Sequence, residues 1–185
     1  SIPLKKEQMV HSAIATGHYS NLKPKDTALL CLPTDFIAGK MMLVRAMVLG
    51  LQLDFIDPTI SSISKIDKKY DFSEMVPMQV EASLNRLHLF KQLIVGGAPI
   101  SSVLKFKLQN VNTKVFETYG MTETITHIAV KKLGTNTFKA LPNVTFSLDN
   151  RNCLCIDAPK IADTTIETND MVELEASKEF IWLVR

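Results

Sequence analysis

The stretch FETYGMTETITHIAV, Phe116 to Val130, decides the fold because the sequence pattern changes within it. Before it, the short apolar runs TALLCLP, LQLDFID, LFKQLIVGGAP and TKVFETYG alternate with segments of helical length, which is typical of strands and helices in a parallel sheet. After Met121, short alternating segments separated by Asn, Asp and Pro predict antiparallel strands. We therefore predict an α/β fold, a mostly parallel sheet flanked by helices and followed by a small antiparallel β-subdomain.

Four segments have the length and apolar spacing of helices: LKKEQMVHSAIATGHYS, AGKMMLVRAMVLG before Gly50, DFSEMVPMQVEASLN with Pro77 inside it, and ISSVLKFKLQN. The change of pattern predicts an α/β part over residues 1–133 and a β-rich part over residues 134–185. No Gly/Ser-rich or charged linker marks the division near Gly134.

Composition narrows the class of protein. Apolar residues make up 46% of the 185 residues, enough for a sizeable buried core. The 21 Lys and Arg residues nearly balance the 19 Asp and Glu residues, so charge gives no sign of a nucleic-acid or membrane-surface partner. Three cysteines without ligand-spaced histidines, and no apolar segment long enough to cross a membrane, predict a soluble cytoplasmic protein.

The YGMTE turn gathers groups that suit a nucleotide. Gly120 permits close approach of a ligand, and Tyr119 offers a ring face to a flat base. Thr122 supplies a hydroxyl, and Glu123 supplies a hard oxygen ligand for Mg²⁺. Both this turn and GGAP follow predicted strand ends, where open α/β sheets bind ligands. The residues alone leave open an ordinary polar loop.

Four motifs that follow one another along the chain favour a nucleotide site over an ordinary loop. GGAP at Gly96 to Pro99, YGMTE after a strand, TNDMVEL and WLVR together resemble the adenylate-forming superfamily of acyl-CoA synthetases, luciferases and nonribosomal-peptide adenylation domains. The resemblance covers essentially the whole chain. It implies binding of ATP and Mg²⁺, adenylation of a small carboxylic acid, and transfer of the acyl group to coenzyme A.

The resemblance also implies roles for residues of the first two motifs. Tyr119 would stack on adenine beside Gly120, and the upstream segment would line the adenine and acyl pocket with Gly96, Gly97 and Ala98.

The remaining implied roles concern the phosphates and the ribose. Thr122 would bind the α-phosphate, and Glu123 would ligate Mg²⁺. Asp170 and Arg185 would hold the ribose. The sequence departs from the family beside both, because Asn169 and Val184 stand where the family usually has glycine.

Two parts of the family pattern are missing from the sequence. It contains no Ser/Thr/Gly-rich phosphate loop ending in Gly-x-Pro-Lys, and it lacks the small C-terminal domain with its catalytic lysine. We therefore expect a fragment of an AMP-binding N-terminal domain that is inactive alone. Exposed sheet edges would favour a homo-oligomer. A noncatalytic nucleotide- or acyl-binding module is the alternative.

The segment IAGKMMLVRA and the short connection between CIDAP and TND resemble most the o-succinylbenzoate-CoA ligases of menaquinone biosynthesis. That acid has a second carboxylate, for which Lys40 is the candidate cation, with a surface role as the alternative. Arg45 is expected to form a structural ion pair. His127, after the YGMTE turn, is a candidate for the border of the acyl pocket. A fatty or aryl acyl-CoA synthetase of other specificity is the second alternative.

Overall fold

The computed structural model of the protein describes residues 4–184, and the strands among them form one sheet. The strands are β1 (Thr27–Leu30), β2 (Gln52–Phe55), β3 (Tyr70–Met75), β4 (Phe90–Val95), β5 (Lys114–Gly120), β6 (His127–Lys132), β7 (Thr137–Ala140), β8 (Thr145–Leu148), β9 (Cys153–Asp157), β10 (Ile166–Ala176) and β11 (Glu179–Val184). Their spatial order is β2-β1-β3-β4-β5-β6-β7-β11-β10-β9-β8.

The helices accompany the first half of the sheet. They are α1 (Lys6–Ser20), α2 (Ile37–Leu49), α3 (Pro77–Ala82) and α4 (Ser102–Leu108), and short 3₁₀ turns cover Ser62–Lys65, Leu84–Leu89 and Thr122–Thr124. Helices α1 and α2 pack closely, since a Cβ added at Gly17 would lie 2.7 Å from the Leu49 Cδ2 atom. Helix α2 ends, as predicted, at Gly50, whose φ of 68° is the left-handed cap that glycine adopts readily.

The prediction of one helix over Asp71 to Asn85 is wrong. Its first part is the buried strand β3, which pairs in parallel with β1 and β4, and helix α3 begins only at Pro77. A residue before proline disfavours the helical region, and Val76 is accordingly extended, with φ −90° and ψ 157°. Proline itself fits the first helical position, where its missing N–H costs nothing. The proline therefore marks the start of the helix.

The sheet changes direction at β6, and this confirms the predicted fold class. Strands β1 to β5 pair in parallel, whereas β6 pairs with β5 antiparallel, as do all later neighbours. Strand β7, which the sequence did not predict, joins β6 to β11. Gly134, with φ 87°, lies between β6 and β7. The division at residues 133 and 134 stays a prediction.

One apolar cluster supports the site described below. It combines residues of α1 and α2, such as Ala13 and Met41, with Ile125 and with antiparallel-strand residues such as Phe138 and Phe180. The ligand-facing segments thus rest on both halves of the sheet. Within residues 4–184, no helix is long and apolar enough to cross a membrane.

Candidate active site

A cleft of about 670 Å³ opens where β4 and β5 end and faces β10 and β11. It brings together five of the predicted site residues: Gly97, Ala98, Tyr119, Gly120 and Asp170. Its other lining residues are Pro99, Lys105, Glu117, Thr118, Met121, Lys131, Asn136, Phe138, Ile181, Trp182 and Leu183. The carboxyl ends of parallel strands are where such sheets bind ligands, so position and residue content agree.

Glycines let the backbone form the walls of this cleft. A Cβ at Gly120 would lie 2.2 Å from the carbonyl oxygen of Thr126 and 2.5 Å from the Cα of His127. Gly97 has φ 82°, a conformation that residues with a side chain rarely adopt. Gly96 does not line the cleft but lies close to the lining residue Thr118, since a Cβ at Gly96 would meet the Thr118 Oγ1 atom at 2.4 Å.

Tyr119 and Asp170 meet directly although 51 residues separate them. The Tyr119 hydroxyl donates to Asp170 Oδ2 at 2.6 Å, and Trp182 Nε1 donates to Oδ1 at 3.4 Å. The Tyr119 ring makes an edge contact with Phe180, with ring centroids 5.2 Å apart. Sequence reasoning missed Trp182, although it is the sole tryptophan and belongs to the quoted motif WLVR.

A β-bulge aims Asp170 into the cleft. Between Glu167, opposite Cys155, and Met171, opposite Cys153, strand β10 carries two more residues than β9. Such a bulge redirects a side chain. The Asp170 N–H donates to the Thr168 Oγ1 atom at 3.1 Å, and Asp170 is only 4% exposed.

Asn169, which departs from the family pattern, takes part in bracing this bulge. Arg151 donates to the Asn169 side-chain oxygen at 3.0 Å and to the Thr168 carbonyl at 3.1 Å. Asp149 holds Arg151 in turn, accepting from its Nε at 2.7 Å. We call Arg151, Asn169 and Thr168 the bulge brace.

A second group that the sequence did not predict lines the cleft beside Tyr119. The Glu117 carboxylate lies between two ammonium groups, with Lys105 Nζ 3.1 Å from Oε1 and Lys131 Nζ 3.5 Å from Oε2. Burial lowers the pKa of Lys131, against the opposing effect of the Glu117 charge. Glu117 is two residues from Tyr119 on one strand, and alternation places both side chains on the same face.

The two residues predicted for the phosphates lie just outside the cleft lining. Thr122 and Glu123 are exposed in the 3₁₀ turn that follows the lining residue Met121. No group of three or more His, Cys, Asp or Glu side chains is placed to hold a metal ion within the described chain. A single carboxylate such as Glu123 fits Mg²⁺ only if substrate phosphates and water complete the coordination, which is common for this ion.

His127 lies within a buried polar network. Its Nε2 is 3.3 Å from Thr16 Oγ1, and because that hydroxyl donates to the Ser12 carbonyl at 3.0 Å, we assign the shared proton to Nε2. Nδ1 is then free to accept from Arg45 Nη2 at 3.5 Å. Burial, together with the Arg45 charge, holds the pKa of His127 well below its ordinary value, in agreement with a neutral ring.

Arg45 anchors this network, and its expected ion pair is confirmed. The guanidinium is fully buried and pairs with Glu74 of β3, while Nη2 also donates to Thr126 Oγ1 at 3.4 Å. Arg45 Nε has no hydrogen-bond partner within residues 4–184. One buried cation thus joins α2, β3 and the segment after the YGMTE turn.

A second, smaller cavity has a volume of about 240 Å³. His127 lines it together with α1 residues such as His11 and Ala15, and with Val144 and Ile161. His127 of this cavity and Gly120 of the cleft are cross-strand partners on β6 and β5. The linings of the two spaces thus include the two members of one cross-strand pair, although no residue within 4–184 lines both.

Two further predicted site residues are Lys40 and Arg185. Lys40 is exposed on the first turn of α2 and lines neither the cleft nor the smaller cavity. Its role in recognising the acid stays a prediction. Arg185 lies outside the described residues, so its predicted contact with the ribose also stays a prediction.

Fold and site together define an α/β protein with an aromatic-lined, glycine-walled cleft at the carboxyl ends of its strands. The chain belongs to the AMP-binding enzyme family, whose model matches residues 2–160. The resemblance derived from the sequence motifs is thereby confirmed.

Individual relatives agree with this family. The 2-succinylbenzoate–CoA ligase of Bacillus pumilus (strain SAFR-032) is 26% identical over 140 residues, which are 67% of this chain and 28% of that protein. The acyl-CoA synthetase (AMP-forming)/AMP-acid ligase II-like protein of Dyadobacter fermentans DSM 18053 has a crystal structure that is 34% identical, with a TM-score of 0.94, over 100% of this chain and 55% of that one.

A third relative shares the fold at low identity. The o-succinylbenzoate coenzyme A synthetase of Bacillus subtilis, in complex with ATP and magnesium ion, has a TM-score of 0.83 at 16% identity, over 97% of this chain and 46% of that one. The chain thus spans from about a quarter to about half of the length of these relatives.

Proposed function

We propose that the protein carrying this chain is an ATP-dependent acid–thiol ligase, which adenylates a carboxylic acid and transfers the acyl group to coenzyme A. The observation that carries the proposal is the contact between Tyr119 and Asp170 in one glycine-walled cleft of an AMP-binding family chain. The family match and the cleft are observed, whereas the activity of the whole protein is our proposal.

In this cleft the nucleoside would lie against both Tyr119 and Asp170. The tyrosine ring offers an apolar face to adenine, and Gly97 and Ala98 let the base approach the backbone. The Asp170 carboxylate, which accepts only and faces the cleft, is proposed to accept hydrogen bonds from the ribose hydroxyls. Arg185 is proposed to assist at the ribose.

Adenylation requires two anions to approach each other. For single charges 4 Å apart the repulsion is about 4 kcal/mol at an intermediate dielectric. We propose that Thr122 donates to the α-phosphate and that Glu123 holds Mg²⁺, which would neutralise phosphate charge. The complex of the Bacillus subtilis relative with ATP and magnesium ion supports ATP and Mg²⁺ as the ligands.

The acid would occupy the smaller cavity. His127 of this cavity is the cross-strand partner of Gly120 of the cleft, and we propose that the carboxylate of the acid reaches the phosphates beside this pair. The lining of the cavity is mostly apolar, which favours an aryl or alkyl acid. The named relatives favour o-succinylbenzoate as the acid and hence a role in menaquinone biosynthesis.

Pyrophosphate–ATP exchange by the complete gene product tests this function. We expect exchange that requires Mg²⁺ and a carboxylic acid, strongest with o-succinylbenzoate among a panel of aryl and fatty acids, and thioester formation when coenzyme A is added. Asp170→Ala should abolish it, while Asp163→Ala, on an exposed residue that lines neither space, should not.

The alternatives give distinct results. Exchange with another acid would keep the ligase and change its substrate. Absence of exchange with every acid, together with measurable AMP binding by calorimetry, would contradict the ligase and favour a noncatalytic nucleotide-binding module.

A further inference from the structure

We propose that Ile125 is a positioning residue of the adenylation step, because it locks the turn that carries Thr122 and Glu123 against the core. The proposal rests on the proposed ligase function. It adds a residue that touches neither the nucleotide nor the acid and acts through the two residues upstream of it.

Ile125 has a backbone conformation that is unusual for its type. Its φ is 66° and its ψ is −59°, the values of a γ-turn that is rare and strained. The turn is closed by the Thr126 N–H, which donates to the Thr124 carbonyl at 2.7 Å. A β-branched residue at positive φ is an outlier, and glycine would adopt this conformation far more easily.

Contacts on both sides hold the turn in place. The Ile125 side chain is fully buried in the apolar cluster with Met41 and Phe180. Upstream, Thr124 Oγ1 accepts from the Met121 N–H at 2.9 Å and also lies 2.6 Å from the Thr126 carbonyl, to which it can donate.

Downstream, the anchor is the Arg45 network. Arg45 donates to the Thr126 hydroxyl and to the His127 ring, and Glu74 fixes Arg45 in the core. Strain of this kind persists only where the surrounding structure over-determines it, and it concentrates at functional sites.

The strained residue stands between the two proposed binding groups. Glu123 is two residues before Ile125, and His127 is two residues after it. The Thr122 carbonyl accepts from the Ile125 N–H at 3.0 Å, so the turn that is proposed to hold Mg²⁺ is hydrogen-bonded to Ile125. An isoleucine at this position accepts an unfavourable backbone conformation, but its buried side chain fixes the position of the turn. Thr122 and Glu123 would therefore keep their positions relative to the phosphates.

A matched pair of substitutions separates positioning from packing. Ile125→Gly removes the anchor and allows the backbone to move, while Ile156→Gly removes an equally buried isoleucine of the same cluster, on strand β9, away from the turn. Ile125→Ala and Ile156→Ala replace this pair if either glycine variant fails to fold.

Kinetics of the complete gene product supply the first measurement. Because a small misplacement of reacting groups costs about a hundredfold in rate, Ile125→Gly should lower kcat of pyrophosphate exchange by roughly that factor and raise the half-saturating Mg²⁺ concentration, with KM for the acid changed by less than about threefold. Ile156→Gly should lower the melting temperature without these changes. Equal kcat and Mg²⁺ values in the two variants would overturn the proposal.

Amide hydrogen exchange supplies a measurement that does not depend on activity. The N–H groups of Thr124, Ile125 and Thr126 should exchange slowly in the native protein and rapidly in Ile125→Gly, but not in Ile156→Gly. Rapid exchange at these amides in the native protein would overturn the positioning role of Ile125 even if ligase activity is found. Slow exchange without any pyrophosphate exchange would instead contradict the proposed function alone.

Discussion

The two ends of the candidate site are held in opposite ways. The turn with Thr122 and Glu123 is exposed, but Ile125 and a buried ion pair anchor it immediately downstream. Asp170, in contrast, is buried, while the bulge brace that supports it depends on Arg151, whose side chain is 57% exposed.

This difference predicts that substitutions in the two regions have different effects. Removing one partner of a buried charged network leaves an uncompensated charge, which is costly. Removing a contact of an exposed arginine leaves groups that water can satisfy. We therefore expect substitutions at the buried Arg45–Glu74 ion pair to act mainly on the stability of the fold, and substitutions at the bulge brace to act weakly and on nucleotide affinity.

The largest expected effect comes from Arg45→Met. It leaves the Glu74 carboxylate buried without its cation, so the free energy of unfolding should fall by about 3–5 kcal/mol. Urea unfolding of the complete gene product measures this change. The double variant Arg45→Met/Glu74→Leu should recover most of the loss, and failure to recover would contradict the assignment to the ion pair.

Tyr119→Phe should have the next largest effect. It removes the hydroxyl that donates to Asp170 at 2.6 Å while keeping the ring, and a hydrogen bond to a charged group contributes about 1.5 kcal/mol or more. Trp182→Phe is the comparison, because its bond to Asp170 is longer, at 3.4 Å. Unfolding should show a larger loss for Tyr119→Phe; the reverse order would contradict the geometry of the cleft.

His127 should make the free energy of unfolding of the protein depend on pH. Since its pKa is lowered in the fold, the unfolded chain binds a proton that the native chain does not, once the pH falls below the ordinary histidine value of about 6.5. Below this pH, the free energy of unfolding should decrease by up to about 1.4 kcal/mol for each pH unit that the pH falls. Above a pH of about 6.5, His127 should cause no loss of stability. His127→Gln should flatten this slope, and an unchanged slope would exclude His127 as its source.

The smallest expected effect concerns the bulge brace. Arg151→Ala removes exposed contacts to Asn169 and Thr168, so AMP affinity measured by calorimetry should fall by about threefold or less. Arg151→Lys should lie between this variant and the native protein. A loss of tenfold or more would mean that the brace, and not the bulge itself, holds Asp170 in place.

The two regions also differ in how far the sequence predicted them. The predicted strands around TALLCLP and LFKQLIVGGAP are present, because buried parallel strands appear as continuous apolar runs. Strand β3 was mistaken for a helix since DFSEM mixes polar and apolar residues without clear alternation, and only its position between β1 and β4 makes it a strand.

Within the site, the sequence predicted the residues that belong to motifs and missed those defined only by the fold. Tyr119 and Asp170 follow from motifs, and the structure brings them together. Glu117 with its two lysines, the tautomer of His127 and the positive φ of Ile125 have no local signal, because each depends on partners far away in the sequence. The charge of Lys40 on an apolar helix suggests a role in binding the acid, yet that position is exposed.

The order of the strands has a consequence for the shape of the cleft. β5 and β10 are separated by β6, β7 and β11, so in a flat sheet they would lie roughly 19 Å apart at the usual strand spacing. Yet Tyr119 on β5 donates to Asp170 on β10 at 2.6 Å. The sheet must therefore curve strongly from β5 through β11 to β10, so that two strands distant in the strand order form opposite walls of one cleft.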